Sequence, residues 1–101
     1  MKIKTKYLDE PNASIRLAQY TNNRTAIQIF SPNGPEMTAT VNIPDQPLEP
    51  DQVLIKNWTE NEGILEALID NNVITDTGLL ISTGFVQANL CTLNDTSNWK
   101  E

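Results

Sequence analysis

The sequence predicts an α+β fold, in which one amphipathic helix packs on one face of an antiparallel sheet of four to six strands. Three observations lead to this prediction. One segment has the start, apolar face and stop of a helix, several short segments alternate apolar and polar residues, and turn-forming residues separate those segments. With 101 residues the chain is long enough for one modest core. We therefore predict a single domain over residues 1–94, followed by a polar C-terminal tail over residues 95–101.

The helix is predicted within residues 57–74. Thr59 is the expected N-cap, and Glu62 three residues later completes a capping box, in which each side chain accepts a hydrogen bond from the other residue's backbone N–H. The expected apolar face consists of Ile64, Leu65, Leu68 and Ile69. Asn71 and Asn72 favour a left-handed stop. A helix of about twelve residues is marginal alone in water, so it needs a sheet to pack on.

Period-two alternation of apolar and polar residues predicts the strands. They comprise residues 2–8, 14–20, 25–30, 37–43 and 84–93. The lysines of the first strand are expected to face water, and the Asp-Glu-Pro-Asn segment at residues 9–12 is expected to end that strand. Turn residues at 21–24 and 31–35 link the next three strands into a meander. Residues 73–81 are bent around a Thr-Gly pair and are not assigned to one element.

A long connection precedes the helix. Residues 44–52 hold three prolines and three acids, which predicts a surface segment with a restricted backbone. Residues 53–56 form a short apolar segment that delivers Trp58 to the start of the helix. Trp58 is either a core anchor or an exposed contact, and Trp99 either docks back on the domain or is unstructured.

Charge is divided unevenly along the chain, whose formal net charge is −6. Residues 1–35 hold five Lys and Arg residues against two acids, whereas residues 36–101 hold two lysines against eleven acids. This balance argues against a phosphate-binding surface, because affinity for nucleic acid comes mainly from Lys and Arg. An acidic face suits a basic protein partner, and the alternative is that these acids only keep the protein in solution.

The sequence holds few groups for catalysis. It has no histidine, which removes the usual general base near neutral pH and the commonest transition-metal ligand. Cys91 is its one cysteine, so we expect neither an intrachain disulfide nor a cysteine zinc cluster. Carboxylates near the helix N-terminus remain candidates for holding a hard cation or for acid–base chemistry. They are Asp45, Asp51, Glu60 and Glu62. We expect no cofactor.

A resemblance to a known family rests on the segment VNIPDQPLEPDQVLIKNWTENEGILEALIDNNVI, followed by STGFVQANLCTL. Together they resemble a family of small uncharacterised bacterial proteins, a domain of unknown function associated with gut bacteria, phages and conjugative elements. The shared motifs correspond to Asn42, Pro44 and Asp45, to residues 60–63, and to residues 83–86. The resemblance covers about half of the chain. It implies an accessory protein of mobile DNA and transfers no catalytic residue.

Two functions of different class are compatible with these features. The first is a non-enzymatic acidic protein-binding module of a phage or mobile element, which binds the basic surface of a host protein and inhibits a nucleic-acid-binding or defence protein. Its expected protein-binding residues are Asp45, Glu49, Asp51, Glu60 and Glu62. The alternative is a small carboxylate-based ligand- or metal-binding domain or enzyme.

The cellular setting is also predicted. No apolar run approaches the roughly 18 residues that span a bilayer, and the N-terminal segment lacks the apolar stretch of a signal peptide. We expect a cytoplasmic protein that contacts neither membrane nor nucleic acid directly. A homodimer formed through an exposed strand edge is compatible with either function.

Overall fold

The computed structural model describes residues 1–100 and shows antiparallel strands with one helix, which confirms the predicted α+β class. In chain order the strands are β1 (Ile3–Lys4), β2 (Asp9–Glu10), β3 (Ser14–Gln19), β4 (Thr25–Ser31), β5 (Gly34–Thr38), β6 (Gln52–Ile55), β7 (Ile74–Ser82) and β8 (Gln87–Leu93). Helix α1 comprises Ile64–Asp70, and short 3₁₀ turns lie at Thr59–Asn61 and Thr96–Asn98.

The strands pair in three antiparallel groups. β1 pairs with β2, β4 lies between β3 and β5, and β8 lies between β6 and β7. Residues 39–41 join the second group to the third. The Ala39 N–H donates to the Ile27 carbonyl in β4 at 2.8 Å, and the Val41 N–H donates to the Leu54 carbonyl in β6 at 3.0 Å. The strands therefore lie across the molecule in the order β3, β4, β5, β6, β8 and β7, with β3 and β7 at the two edges.

The hairpin of β3 and β4 forms as the alternation predicts. Asn23 adopts a φ of 66° in the turn, a conformation that asparagine tolerates better than most residues. Ile27 and Ile29 are fully buried in β4. Leu17, which pairs with Ile27, is 41% exposed because β3 is an edge strand with fewer neighbours.

The N-terminal strand is much shorter than predicted. β1 ends at Lys4, and the acids expected to end the strand instead form β2, with Ile3 opposite Glu10. A tight turn causes this change, because the Thr5 N–H donates to the Leu8 carbonyl at 2.7 Å. The Lys6 N–H then donates to the Glu62 carbonyl at 2.9 Å, which ties the turn to the start of the helix.

The predicted capping box is wrong, because α1 begins five residues after Thr59, at Ile64. Thr59 lies in the 3₁₀ turn with a φ of 51°, and its hydroxyl donates to the Trp58 carbonyl at 2.8 Å instead of accepting from the helix. Glu62 lies outside the helix as the residue that follows that turn. The left-handed backbone at Thr59 directs the chain away from a helical path at this point.

Asn57 performs the capping role from a distance. Its side-chain oxygen accepts from the backbone N–H groups of Gly63 and Leu65, both at 3.0 Å. Gly63 precedes the helix with a φ of 102°, which favours glycine. The helix start is thus set by an asparagine six residues before Gly63 and not by the residue directly before the first helical turn, where an N-cap is usually sought.

The rest of the helix mostly follows the prediction. Ile64, Leu65 and Leu68 are buried, whereas Ile69 is 36% exposed and Ala67 is buried in its place. The helix stop is confirmed. Asn72 has a φ of 62°, and the Val73 N–H donates to the Leu68 carbonyl at 3.0 Å. This is the hydrogen bond of a Schellman motif.

The apolar core has two parts on opposite faces of β6 and β8. The larger cluster joins the helix to β1, β4 and residues of the C-terminal turn, and Trp99 belongs to it with 8% exposure. Of the two alternatives for Trp99, docking on the domain is thus the one observed. The last residue of the predicted tail, Glu101, lies outside the described residues. The smaller cluster consists of Leu54, Ala88 and Leu90, with Trp58 among the partly buried residues that cover it.

The C-terminal hairpin extends further than the sequence indicated. The unassigned segment is mostly β7, which has an irregular register between Asp76 and Leu79. The final strand begins at Gln87, three residues after its predicted start. Phe85 therefore lies in the connection between β7 and β8, where its side chain is fully exposed.

Candidate functional site

The five predicted binding acids are all exposed but fall into two groups. Asp45, Glu49 and Asp51 lie on the connection between β5 and β6, which we call the acidic loop (residues 44–51). Glu60 and Glu62 lie between β6 and α1. The four-residue strand β6 lies between the two groups and, since strand residues are about 3.3 Å apart, accounts for roughly 13 Å of that span. The predicted single acidic face is therefore divided.

The first half of the acidic loop is held by Arg24. Its guanidinium donates to the backbone carbonyls of Ile43, at 2.6 Å, and Gln46. The Gln46 N–H also donates to the Ile43 carbonyl at 3.0 Å, which closes a turn around Asp45. The Arg24 side chain, from the turn between β3 and β4, thus holds backbone carbonyls of the loop. The Asp45 carboxylate remains exposed.

The second half of the acidic loop is held by β6 and β8. The Gln52 side-chain oxygen accepts from the Glu49 N–H at 2.9 Å, and the Gln52 N–H donates to the Glu49 carbonyl at 3.0 Å. The Leu93 N–H donates to the Asp51 carbonyl at 2.7 Å. Leu48 packs on the smaller apolar cluster. Both halves of the loop therefore have a defined backbone.

Hydrogen bonds hold the backbone of the acidic loop, whereas its carboxylate side chains are exposed to solvent. None of the three carboxylates forms an ion pair with any residue in the 1–100 range. Asp45, Glu49 and Asp51 therefore present uncompensated negative charge to solvent on an ordered backbone.

The second group of acids is compensated by lysines. Glu60 forms an ion pair with Lys56 at 2.5 Å, and Glu62 forms one with Lys6 at 3.0 Å. The hydrogen bond from Lys56, followed by one from the Thr59 hydroxyl, lowers the pKa of Glu60 to about 2. The hydrogen bond to Glu62 and its charge raise the pKa of Lys6. These acids are thus less available to an external cation than those of the acidic loop.

The arrangement expected for a cation site is not formed. Asp45 and Asp51 lie beyond one end of β6, and Glu60 and Glu62 beyond the other. Within residues 1–100, no three Asp, Glu or Cys side chains come together in a geometry that could hold a metal ion. The four candidate carboxylates are therefore not brought together into one cation site within the described residues.

A shallow groove near Glu60 was not predicted. It has a volume of about 480 Å³, and its lining includes Glu36 and Met37 of β5 together with Lys56 and Glu60. Glu36 accepts from the Ser31 hydroxyl at 2.6 Å. Period-two alternation places Glu36 and Met37 on opposite sides of an ideal strand, but the irregular register after Ile29 alters that geometry. No local sequence signal indicates this groove.

No protein-family model, no curated protein and no solved structure matches this chain. None of the helices within residues 1–100 is long and apolar enough to cross a membrane.

Proposed function

We propose that this protein is a non-enzymatic protein-binding module that uses the acidic loop to bind the basic surface of a protein partner. One observation carries this proposal: the loop presents three exposed carboxylates, unpaired within residues 1–100, on a backbone held at both ends. A loop that is already ordered loses little conformational freedom on binding. Exposed charge of one sign also accelerates encounter with a partner of opposite charge.

The concrete form of this proposal is inhibition of a host nucleic-acid-binding or defence protein. Such proteins expose Lys and Arg to neutralise phosphates, and a loop of carboxylates offers those residues charge of the same sign as phosphate. The net charge of −6 further favours association with a basic protein. The resemblance of residues 41–74 and 82–93 to proteins of phages and conjugative elements supports a role in mobile DNA.

Glu60 and Glu62 contribute less in this proposal than the acidic loop. Each already contacts a lysine, so a partner must displace Lys56 or Lys6 before it gains the same contact. Exposed ion pairs contribute little on their own, and exchanging one for another therefore gives little affinity. Asp45, Glu49 and Asp51 carry the main charge contact.

The test compares two triple variants of equal charge. In the loop variant, D45N, E49Q and D51N remove the three carboxylates of the acidic loop. In the control, D9N, E66Q and D70N remove three exposed acids elsewhere. Each tagged protein is used for affinity capture from nuclease-treated bacterial lysate, and the captured partner is purified and titrated against all three proteins.

We expect the loop variant to bind the captured partner about tenfold or more weakly, and the control to bind like the parent protein. Raising the salt concentration should weaken binding of the parent and control more than binding of the loop variant, because the charge contact is screened. Equal affinities of the loop variant and the parent would contradict the proposal. So would an equal loss in both triple variants, since net charge alone would then explain binding.

A further inference from the structure

The outer part of the β7–β8 hairpin exposes large apolar side chains. Leu79 is 60% exposed, Leu80 is 52% exposed, and Phe85 in the connection is fully exposed. Residues 77–94 form the longest stretch of the sequence without a charged residue. Large exposed apolar side chains of this kind often mark a protein contact.

The same hairpin ends the sheet in an open edge. β7 pairs with β8 along one side, and no other strand within residues 1–100 pairs with its second side. The irregular register ends before Leu79, and residues 79–82 pair one for one with β8. Edge strands are usually protected from further pairing by lysine, proline or an inward charge, and residues 77–82 contain none of these.

We propose that this edge binds a second copy of the same chain, with the two β7 strands antiparallel about a two-fold axis near Leu80. The charge distribution selects this occupant. Two molecules with a net charge of −6 repel each other unless they meet through surface that lacks acids. A basic partner would favour the acidic surface, whereas the β7 edge offers it no opposite charge.

Two-fold symmetry makes the absence of charge especially important. When two antiparallel edges are related by a two-fold axis, a residue at the axis lies opposite its own copy, and a residue beside the axis lies opposite a near neighbour of its own copy. A charge near the axis therefore meets a like charge. With Leu80 at the axis, the two copies of Asp76 lie roughly 25 Å apart, well beyond the screening length of about 8–10 Å. The nearest charge on β7 therefore does not oppose pairing.

The apolar faces of the two copies also match. Leu79 pairs with Leu90, and Ile81 pairs with Ala88, on the face that carries the smaller apolar cluster. Pairing around Leu80 places Leu79 of each copy opposite Ile81 of the other. The two smaller clusters then become continuous, and the exposed Leu79 gains a covered position.

The other edge strand provides a matched comparison. β3 carries Arg16, and it has the exposed leucine Leu17. Trp99 and Lys100 lie beside Ile15 and Leu17 along this strand. The β3 edge is therefore partly covered and charged, which makes Leu17 the control for Leu80.

The first test is the molar mass of the full chain in solution, measured by sedimentation equilibrium from micromolar to millimolar concentration. We expect the parent protein to form a dimer, L80K to dimerise about tenfold or more weakly, and L17K to behave like the parent. A parent protein that stays monomeric throughout would overturn the proposal. So would equal weakening in both variants, or growth into open-ended oligomers, because two-fold pairing closes at two copies.

A second test locates the contact. Cβ atoms of directly opposed residues in an antiparallel pair lie about 4.5–5.5 Å apart, near the separation of a disulfide. Oxidised glutathione should therefore link L80C into a covalent dimer while L17C stays unlinked, with Cys91 replaced by Ala in both. A parent dimer combined with unlinked L80C would place the interface elsewhere and overturn the proposal.

Discussion

The side-chain oxygen of Asn57 lies 3.0 Å from the backbone nitrogen of Leu65, so a residue well before the helix satisfies one of its first N–H groups. The same oxygen accepts from Gly63, also at 3.0 Å. One amide side chain therefore holds both the left-handed residue that precedes the helix and the first helical turn.

We expect N57A to lower the free energy of unfolding by about 1–2 kcal/mol, the usual effect of losing a helix cap. The control is T59A at the position that the sequence alone suggests as the cap. T59A should change stability by less than about 0.5 kcal/mol, because Thr59 makes no hydrogen bond to the helix. Urea unfolding measures both values. A larger effect of T59A than of N57A would contradict the assignment of Asn57 as the cap.

Gly63 has a positive φ and also lies close to the backbone of the N-terminal turn, and comparison with Gly78 separates the effects of these two features. A Cβ at Gly63 would lie 3.1 Å from the Cα of Thr5 and 3.2 Å from the nitrogen of Lys6, whereas a Cβ at Gly78 would meet nothing within 4 Å. Both glycines have positive φ, so G78A should cost about 1 kcal/mol from backbone strain.

G63A should cost more than G78A, about 2 kcal/mol or above, because strain and a backbone clash combine. The difference between the two unfolding free energies isolates the close approach of Thr5 and Lys6. Equal effects would show that the N-terminal turn moves away without loss of stability.

The pKa of Glu60 provides a test of its ion pair. Hydrogen bonds from Lys56 and Thr59 lower this pKa from an ordinary value of 4.5 to about 2. A lowered pKa in the folded state stabilises the fold above the ordinary value, and that contribution is lost as pH falls from about 4.5 to 2. We expect K56M to return the pKa of Glu60 towards its ordinary value, as read by NMR of the side-chain carboxyl carbon. K6M removes the other ion pair and should leave the Glu60 titration unchanged.

Cys91 should be unreactive in the folded protein. Burial, followed by the charge of Asp76, raises the pKa of its thiol to about 12, and the side chain is fully buried. Since the thiolate is the reactive form, a disulfide reagent at about pH 8 should label Cys91 only after unfolding in guanidinium chloride. Rapid labelling without denaturant would mean that β8 opens readily from the sheet.

Divalent cations distinguish the two function classes. The carboxylates proposed as a cation site are split between the ends of β6. We expect Mg²⁺ and Ca²⁺ at millimolar concentration to leave the melting temperature unchanged after correction for ionic strength. A cation that binds the folded state must raise that temperature. A rise that is abolished by E60Q would favour the carboxylate-based ligand-binding alternative instead.

Local signals account for the elements that the sequence predicts well. The hairpin of β3 and β4 depends on alternation and on Asn23, both of which act over a few residues. The helix stop at Asn72 is similarly local. In contrast, Asn57 caps the helix from six residues before Gly63, and the turn that ends β1 is tied through the Lys6 N–H to Glu62 far along the chain; periodicity reports neither contact.

For the candidate site, too, some properties follow from the local sequence and others depend on tertiary contacts. Exposure of Asp45, Glu49 and Asp51 is predicted by proline and acid content alone, because such segments lie on the surface. Whether an acid is compensated depends instead on tertiary structure. The pair of Lys6 and Glu62 joins the first turn of the chain to the start of the helix, and no spacing in the sequence indicates it.

The position of β8 has a consequence for synthesis of this protein. β8 lies between β6 and β7, and Gln52 pairs with Thr92. On the ribosome, β3, β4 and β5 can pair as soon as they emerge, whereas β6 keeps one side open until nearly the whole chain has been translated. A nascent chain paused before residue 87 therefore exposes both β6 and the uncharged part of β7, and chaperones that hold apolar strands are expected to bind at this stage.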